Sequence, residues 1–423
     1  MRVLVVGNGG REHALSLALH RSKSTSKIFA TRPNAGMATI AESLDIAPTD
    51  VAGILAACPN LDIDLVVVGP EAPLVAGLTD QLAEIGVPAL GPSAAAAQLE
   101  GSKRFAKEIM SEAGIPTAAY GAFQSSELEA AKSFVREHGA GMVVKADGLA
   151  AGKGVLVCNT VEETLNAIDY ILDDGTFGDA GAEIIVEEKL TGPELSVIAL
   201  VDGETVVPFP ASRDHKRAYD DDAGPNTGGM GAFSPVPQID ATLLQQTVDE
   251  VLRPAAQALG ARGIPYQGFL YAGLMLTPNG IRVLEFNCRM GDPECQPLMA
   301  RLTSDAGELF YATATGQLSE QIVTFDNRSA VCVVMTSGGY PGSYPKGLAI
   351  TGLESADKLE NITVVHAGTI QKDKNILTNG GRVLGVTALG ADIAEATKRA
   401  YEGVKCIHFE GMHVRTDIAA SVL

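Results

Sequence analysis

Glu285, Asn287 and Arg289 stand two residues apart at the end of the run Ile281-Arg282-Val283-Leu284-Glu285-Phe286-Asn287, and their types suggest chemistry before any fold is considered. The run has the branched-aliphatic and aromatic look of a strand, so alternate side chains present a carboxylate, an amide and a guanidinium on one face. Such groups rarely tolerate burial without partners, which makes the stretch a poor core strand and a good floor for a metal ion and an anion. A sheet-edge strand with a solvated polar face would give the same pattern. The turn that follows, Arg289-Met290-Gly291-Asp292-Pro293-Glu294-Cys295-Gln296, adds further charged groups and favours the functional reading.

A second cluster lies in Lys145-Ala146-Asp147-Gly148-Leu149-Ala150-Ala151-Gly152-Lys153-Gly154. A short glycine and alanine loop between two strands is a flap whose N–H groups can wrap phosphates. It lacks the GxxxxGK[ST] order leading into a helix that a Walker A loop needs. A plain glycine hairpin explains the glycines but not the lysines at both ends. Farther on, Arg213-Asp214-His215-Lys216-Arg217 precedes a glycine-rich stretch, Gly224 to Pro235, expected as a long irregular loop. Long loops inside compact domains are usually functional, although a charged run is also what a solvated surface carries.

A third candidate is Gly7-Asn8-Gly9-Gly10-Arg11-Glu12-His13, which follows an apolar strand at 2–6 and opens a helical pattern. Strand, glycine turn and helix together cradle phosphate, because free N–H groups and the helix dipole face the anion. The dinucleotide version fails: Glu12 stands where a third glycine belongs, and the next strand ends in Arg32-Pro33 without a ribose-binding acid. A smaller phosphate remains open.

These groups need elements to hold them. Strand and helix alternation over the first hundred residues predicts an open parallel sheet whose rim carries Gly7, Gly9 and Glu71. Glu71 would equally serve as a helix cap. Residues 123–190 read as a compact unit of helix, strand, glycine loop, strand, helix and strand. Between and beyond lie a helix opening at Glu100, a helix from about Thr242 to Arg262, a hairpin turning at Pro278-Asn279-Gly280, and a helix from about Gln296 to Ala314. A last domain begins near Ser329 and ends in a helix from Asp392 to Cys406.

With 423 residues and 46% apolar content the chain supports several cores. A net charge of −19 argues against nucleic acid and anionic lipid as partners. No window approaches about 18 uninterrupted apolar residues, which argues against a membrane span. Six cysteines without a CxxC pair indicate neither a zinc site nor a disulfide framework, and a reduced, cytoplasmic protein is expected.

In this order the segments resemble the ATP-grasp ligases, and among them the phosphoribosylamine–glycine ligase family. The resemblance is carried by Arg289 to Gln296, Gly7 to His13, Asp214-His215-Lys216-Arg217 and Asn226-Thr227-Gly228-Gly229-Met230-Gly231, and spans residues 1 to about 420. It implies an α/β and α+β multidomain architecture: an N-terminal open parallel α/β sheet (1–102), a central ATP-grasp domain (103–122 and 191–328), a small mobile lid (123–190) and a C-terminal β-rich domain (329–423). The implied reaction joins glycine to 5-phosphoribosylamine through glycyl phosphate, driven by ATP, in purine biosynthesis. Another ATP-grasp carboxylate–amine ligase of that route is the alternative.

Carried over residue by residue, the resemblance makes Glu285 and Asn287 ligands of magnesium, or of manganese in its place. Some ATP-grasp enzymes add an acid from the preceding strand, but 269–276 has none, so two protein ligands are expected. Lys103 and Lys145 would hold the ATP phosphates beneath a flap containing Gly148, Gly152, Lys153 and Gly154. Glu187 and Leu190 would offer backbone groups to adenine, and Glu194 its carboxylate to the ribose. Asp214 and Arg289 would take the amine and carboxylate of glycine and, with Lys145, form the catalytic set. Gly7, Gly9, Gly10, Glu71, Thr227, Gly228, Gly229 and Gly231 would surround phosphoribosylamine. A stand-alone bacterial-type enzyme, monomeric or weakly dimeric, is expected, because in animals this activity is fused to two further purine enzymes.

Overall fold

Five parallel strands form the N-terminal sheet of the computed structural model, which describes residues 1–148, 154–172 and 181–423. Arg2–Val6 lies at the centre between Lys27–Thr31 and Leu65–Val68, with Glu42–Leu44 and Ala89–Leu90 outermost. The three inner strands are apolar through their centres because both faces are covered, whereas the edge strand Glu42–Leu44 is polar and exposed. Leu4 and Val66 pack with Ile54 and Leu82 on one side, while Val3, Val5, Leu65 and Val67 pack with Leu15, Leu19 and Phe310 on the other. Each fully buried aliphatic side chain contributes about 1.5–3 kcal/mol.

The small unit is a four-stranded antiparallel sheet in the order Tyr120–Gln124, Glu183–Glu188, Met142–Ala146, Val155–Val157. Helices Leu128–His138 and Val161–Leu172 back it through a separate core that includes Val135, Val144, Ile168 and Val186. The central sheet runs Thr205–Pro208, Glu194–Asp202, Gln267–Thr277, Gly280–Asn287, again antiparallel. Its last pair is the expected hairpin, with one irregularity: Gly273 faces Glu285 while Leu274 faces Val283.

The fourth sheet crosses the boundary expected at 329. Arg213–Asp214 and Gly231–Ser234 form one side of it, followed by Ser329–Thr336, Arg382–Gly390 and Ile362–His366, with helix Ile393–Cys406 packed against it. The stretch from Gly224 to Pro235, expected to be irregular, therefore contains two strands, Ala223–Asn226 and Gly231–Ser234. Gly231-Ala232-Phe233-Ser234 has little local strand preference; its pairing with Val333 to Ala330 and complete burial impose the conformation.

Three expected helices are interrupted. The one expected to open at Glu100 is a helix Ala94–Gly101 ending at Ser102, whose hydroxyl caps a new helix, Lys103–Glu112, by accepting from the Phe105 N–H at 3.1 Å. The helix expected from Thr242 contains a π turn at Val248–Leu252 between Ala241–Thr247 and Arg253–Ala261, since Pro254 has no N–H for the preceding turn. The helix expected over Gln296 to Ala314 is two helices, Cys295–Arg301 and Ala306–Ala314, and Asp305 caps the second through the Glu308 N–H at 3.0 Å. Among the described residues no helix is long and apolar enough to cross a membrane.

Candidate active site

A cleft of about 1230 Å³ opens between the lid sheet, the central sheet and the fourth sheet, with Arg11 and Glu71 reaching it from N-terminal helices. A pocket for one small ligand measures about 300–1,000 Å³, so this cleft has room for a nucleotide and smaller molecules beside it. Among the described residues, eleven lysines and arginines line it against twelve acids, whereas the whole chain has 32 against 51. Positive charge is thus focused locally in an acidic protein.

One wall comes from the lid and the helix Lys103–Glu112. Lys103 occupies the first helical position and donates from Nζ to the Gly148 carbonyl at 3.2 Å. Asp147 ties that helix to the flap: its carboxylate accepts from the Arg104 N–H at 2.7 Å and the Ser102 hydroxyl at 3.1 Å. Lys145 donates to the Leu284 carbonyl at 3.0 Å and pairs with Glu187, whose other oxygen pairs with Lys107 at 2.6 Å. Burial works against the Glu187 carboxylate, but Lys145 and Lys107 hold its pKa below the usual range. Its side chain is therefore committed to the two lysines, which leaves the backbone as its route to a ligand.

The opposite wall is the strand Gly280–Asn287. Burial would raise the pKa of Glu285, but Lys216, Lys145, Lys103 and Arg289 together lower it, so an ionised carboxylate sits amid cations. The hydrogen-bond network orients the Asn287 amide with its nitrogen toward Glu100 Oε1 (3.1 Å) and the Phe286 carbonyl (3.2 Å). That leaves its oxygen, a hard donor, for a cation, and the pair fits an ion such as magnesium that takes few protein ligands. Among the described residues there is no group of three His, Cys, Asp or Glu suited to a metal.

Between the walls, Lys216 pairs with Glu194 at 2.9 Å. Asp214 is pushed up to about 7 by burial, with Lys216 opposing and Glu294, Glu194 and Glu285 adding to the rise. Arg289 lies just past the strand end, where its Nη2 meets Glu100 at 2.6 Å and its Nε faces Glu71 at 3.3 Å. Burial alone would lower the pKa of this guanidinium; Glu100 and Glu71 raise it.

The structure thus brings Glu71, Lys103, Lys145, Gly148, Gly154, Glu187, Leu190, Glu194, Asp214, Thr227, Gly228, Glu285, Asn287 and Arg289 to one cleft. Gly152 and Lys153 lie outside the described residues. Gly7, Gly9, Gly10, Gly229 and Gly231 are not on its lining. The Gly7–Gly10 turn is closed from within: the Gly7 N–H donates to Thr31 Oγ1 at 2.9 Å and the Gly9 N–H to Glu12 Oε2 at 2.6 Å. The acid standing in place of a third glycine thus takes up the Gly9 N–H. Arg11 links that turn to the site, joining Glu12 at 2.7 Å and the Met290 carbonyl at 3.0 Å. Gly229, at φ +113°, packs against Pro293, where a side chain would collide.

Several cleft residues escaped the sequence reading. Lys107 was legible in principle, four residues after Lys103 and so on the same helix face. Glu294, which accepts from the Ser196 hydroxyl at 3.0 Å, stood within a quoted motif without a role. Glu100 and Arg382 carried no local signal. Arg382 reaches the Gly228 and Asp292 carbonyls from the C-terminal sheet, a contact that only the fold creates.

Two antiparallel sheets that close on buried lysines across from a carboxylate and an amide make this an ATP-grasp protein; biotin carboxylase of Campylobacter jejuni shares the fold, with a TM-score of 0.76 at 17% identity over 98% of this chain and 92% of that one. The domain families described as phosphoribosylglycinamide synthetase N domain, ATP-grasp (A) domain and C domain match residues 1–100, 101–295 and 330–421. The chain belongs to the phosphoribosylamine–glycine ligase family. A relative of that name from Rhodopirellula baltica is 49% identical over 428 residues, covering 100% of this chain and 98% of its own. The crystal structure of phosphoribosylamine–glycine ligase from Thermotoga maritima matches with a TM-score of 0.85 at 32% identity, over 99% of this chain and all of that one.

Proposed function

We propose that the chain is an ATP-dependent ligase that joins glycine to 5-phosphoribosylamine, giving glycinamide ribonucleotide, ADP and phosphate. The observation that carries this reading is the single cleft in which Lys103 and Lys145 lie across from Glu285, Asn287 and Arg289 in a chain of this family. A glycine carboxylate oxygen attacks the γ-phosphorus of ATP and ADP leaves, forming glycyl phosphate. The amine of phosphoribosylamine then attacks the acyl carbon, loses a proton and expels phosphate, forming the amide.

Both steps place negative charge on phosphoryl or acyl oxygens, so positioning and fixed positive charge do most of the work. Lys103 and Lys145 hold the phosphates, with Gly148 and Gly154 at the flap above them. The backbone at Glu187 and Leu190 meets adenine, and Glu194 meets the ribose once Lys216 yields it. Asp214 holds the ammonium of glycine and Arg289 its carboxylate, while Glu71, Thr227 and Gly228 face phosphoribosylamine. Glu285 and Asn287 would hold magnesium, or manganese in its place, which when bound would neutralise phosphate oxygens as a Lewis acid. The six free thiols suit a reducing, cytoplasmic setting, which belongs to the same proposal.

The test is ADP release with glycine and phosphoribosylamine each omitted in turn. Omission of glycine is expected to abolish release; a rate indifferent to glycine would point to another carboxylate–amine ligase instead.

A further inference from the structure

Glu100 sits near the end of helix Ala94–Gly101, and its side chain is 7% exposed. Its carboxylate gathers three successive residues at the end of the opposite strand. Oε1 meets Arg289 Nη2 at 2.6 Å and, with the Asn287 amide assigned by its hydrogen bonding, that amide's nitrogen at 3.1 Å. Oε2 accepts from the Cys288 N–H at 2.7 Å and from its thiol at 3.1 Å. Two of these three residues are the ones assigned above to the metal and to glycine.

We infer that Glu100 is a positioning residue, which fixes the Asn287 amide with its oxygen toward the metal and holds the Arg289 guanidinium in the orientation that receives the glycine carboxylate. The two ends of an amide have the same shape, and an acceptor beside one of them decides which end is nitrogen. Without that acceptor the amide can turn, and an N–H donor then faces the cation. For Arg289, two carboxylates fix the guanidinium plane: Glu100 at Nη2 and Glu71 at Nε. A buried ion pair adds little net stability relative to apolar groups of equal volume, so the geometry it imposes is the larger effect. Glutamine at position 100 has the same size but a single acceptor, and its NH2 group would confront donors from Cys288 or Arg289.

The inference rests on the assignment of Glu285 and Asn287 to the metal and Arg289 to glycine, and the experiment separates the two. Mn2+ binding in the presence of ADP is measured by electron paramagnetic resonance in the parent, Glu100→Gln and Asn287→Ala, together with KM for glycine and for ATP at saturating metal. Glu100→Gln is expected to weaken Mn2+ binding and raise the glycine KM by about 10- to 100-fold. Its ATP KM should change by less than about threefold, as expected where nucleotide contacts are intact. If Asn287→Ala weakens Mn2+ binding while Glu100→Gln moves neither constant, the inference is overturned and the metal assignment stands. If Asn287→Ala leaves Mn2+ binding unchanged, the metal assignment fails and takes the inference with it. A fall in kcat with neither constant moved also overturns it. Should Glu100→Gln fail to fold, the same constants are read from Glu100→Asp, which is too short to reach both Arg289 and the Cys288 N–H; values within about twofold of the parent would then overturn the inference.

Discussion

Burial lifts the Asp214 carboxyl to about 7 against the pull of Lys216, with Glu294, Glu194 and Glu285 adding to the rise. Because the folded value lies above the unfolded one, about 3.9, the stability tied to this group is fully present below the unfolded pKa and is lost as pH rises through about 7. Glycine binding runs in the opposite sense, since an ammonium group requires the carboxylate. The glycine KM should rise as pH falls from about 8 to about 6, and initial rates at saturating ATP check it. Asp214→Asn should raise that KM at every pH and flatten the dependence. Glu285→Ala should lower kcat by at least about 100-fold while leaving ADP binding measurable by calorimetry, because it removes a ligand of the metal that would neutralise the phosphate oxygens and not the lysine wall. The alternation of Ile281 to Asn287 made Glu285 and Asn287 legible as a pair. Parity extended the same face to Arg289, but the residue lies beyond the strand, and the partners that orient it, Glu100 and Glu71, come from elements far along the chain.

Elements were legible where a local pattern agrees with packing and obscure where the two part. Four apolar runs of the N-terminal sheet read directly, because their central positions are buried on both faces, whereas the exposed edge strand Glu42–Leu44 carries no such run. Pro254 and Asp305 signal helix breaks, yet the apolar spacing around them continues, so the breaks at 248–252 and 302–305 were read through. Gly231–Ser234 was read as a loop because its strand is imposed by Ser329–Thr336 far along the chain. At this scale the contact between flap and helix is testable. Asp147 holds both the Ser102 hydroxyl and the Arg104 N–H, so Asp147→Ala should loosen the lid from helix Lys103–Glu112. Charge-assisted hydrogen bonds contribute about 1.5–3 kcal/mol, so the ATP KM should rise about tenfold. Steady-state kinetics with each substrate varied would show it, with the glycine KM unmoved.

Across the whole molecule, the cleft draws on the lid sheet, the central sheet and the sheet shared with the C-terminal part, with Arg11 and Glu71 added from N-terminal helices. Phe233 and Ala232 are buried against Val331 and Cys332, so a chain stopped after Arg328 would leave Gly231–Ser234 paired only with Arg213–Asp214 and expose its other edge. Such a chain should lose the cooperative thermal transition of the full protein by circular dichroism; retention of an unchanged transition would mean that the two parts fold independently. The architecture was legible in outline because the family motifs fall in order along the chain, but the joining of 213–234 to the C-terminal sheet was not, since pairing between distant strands leaves no periodic signal. What the molecule as a whole is proposed to do is move the γ-phosphoryl group of ATP onto the glycine carboxylate before the amine attacks. Glycine labelled with 18O in both carboxylate oxygens tests this most directly. The account predicts that inorganic phosphate carries one labelled oxygen per turnover and the amide product retains the other. Amide formation with unlabelled phosphate, the displaced label appearing in water, would contradict it.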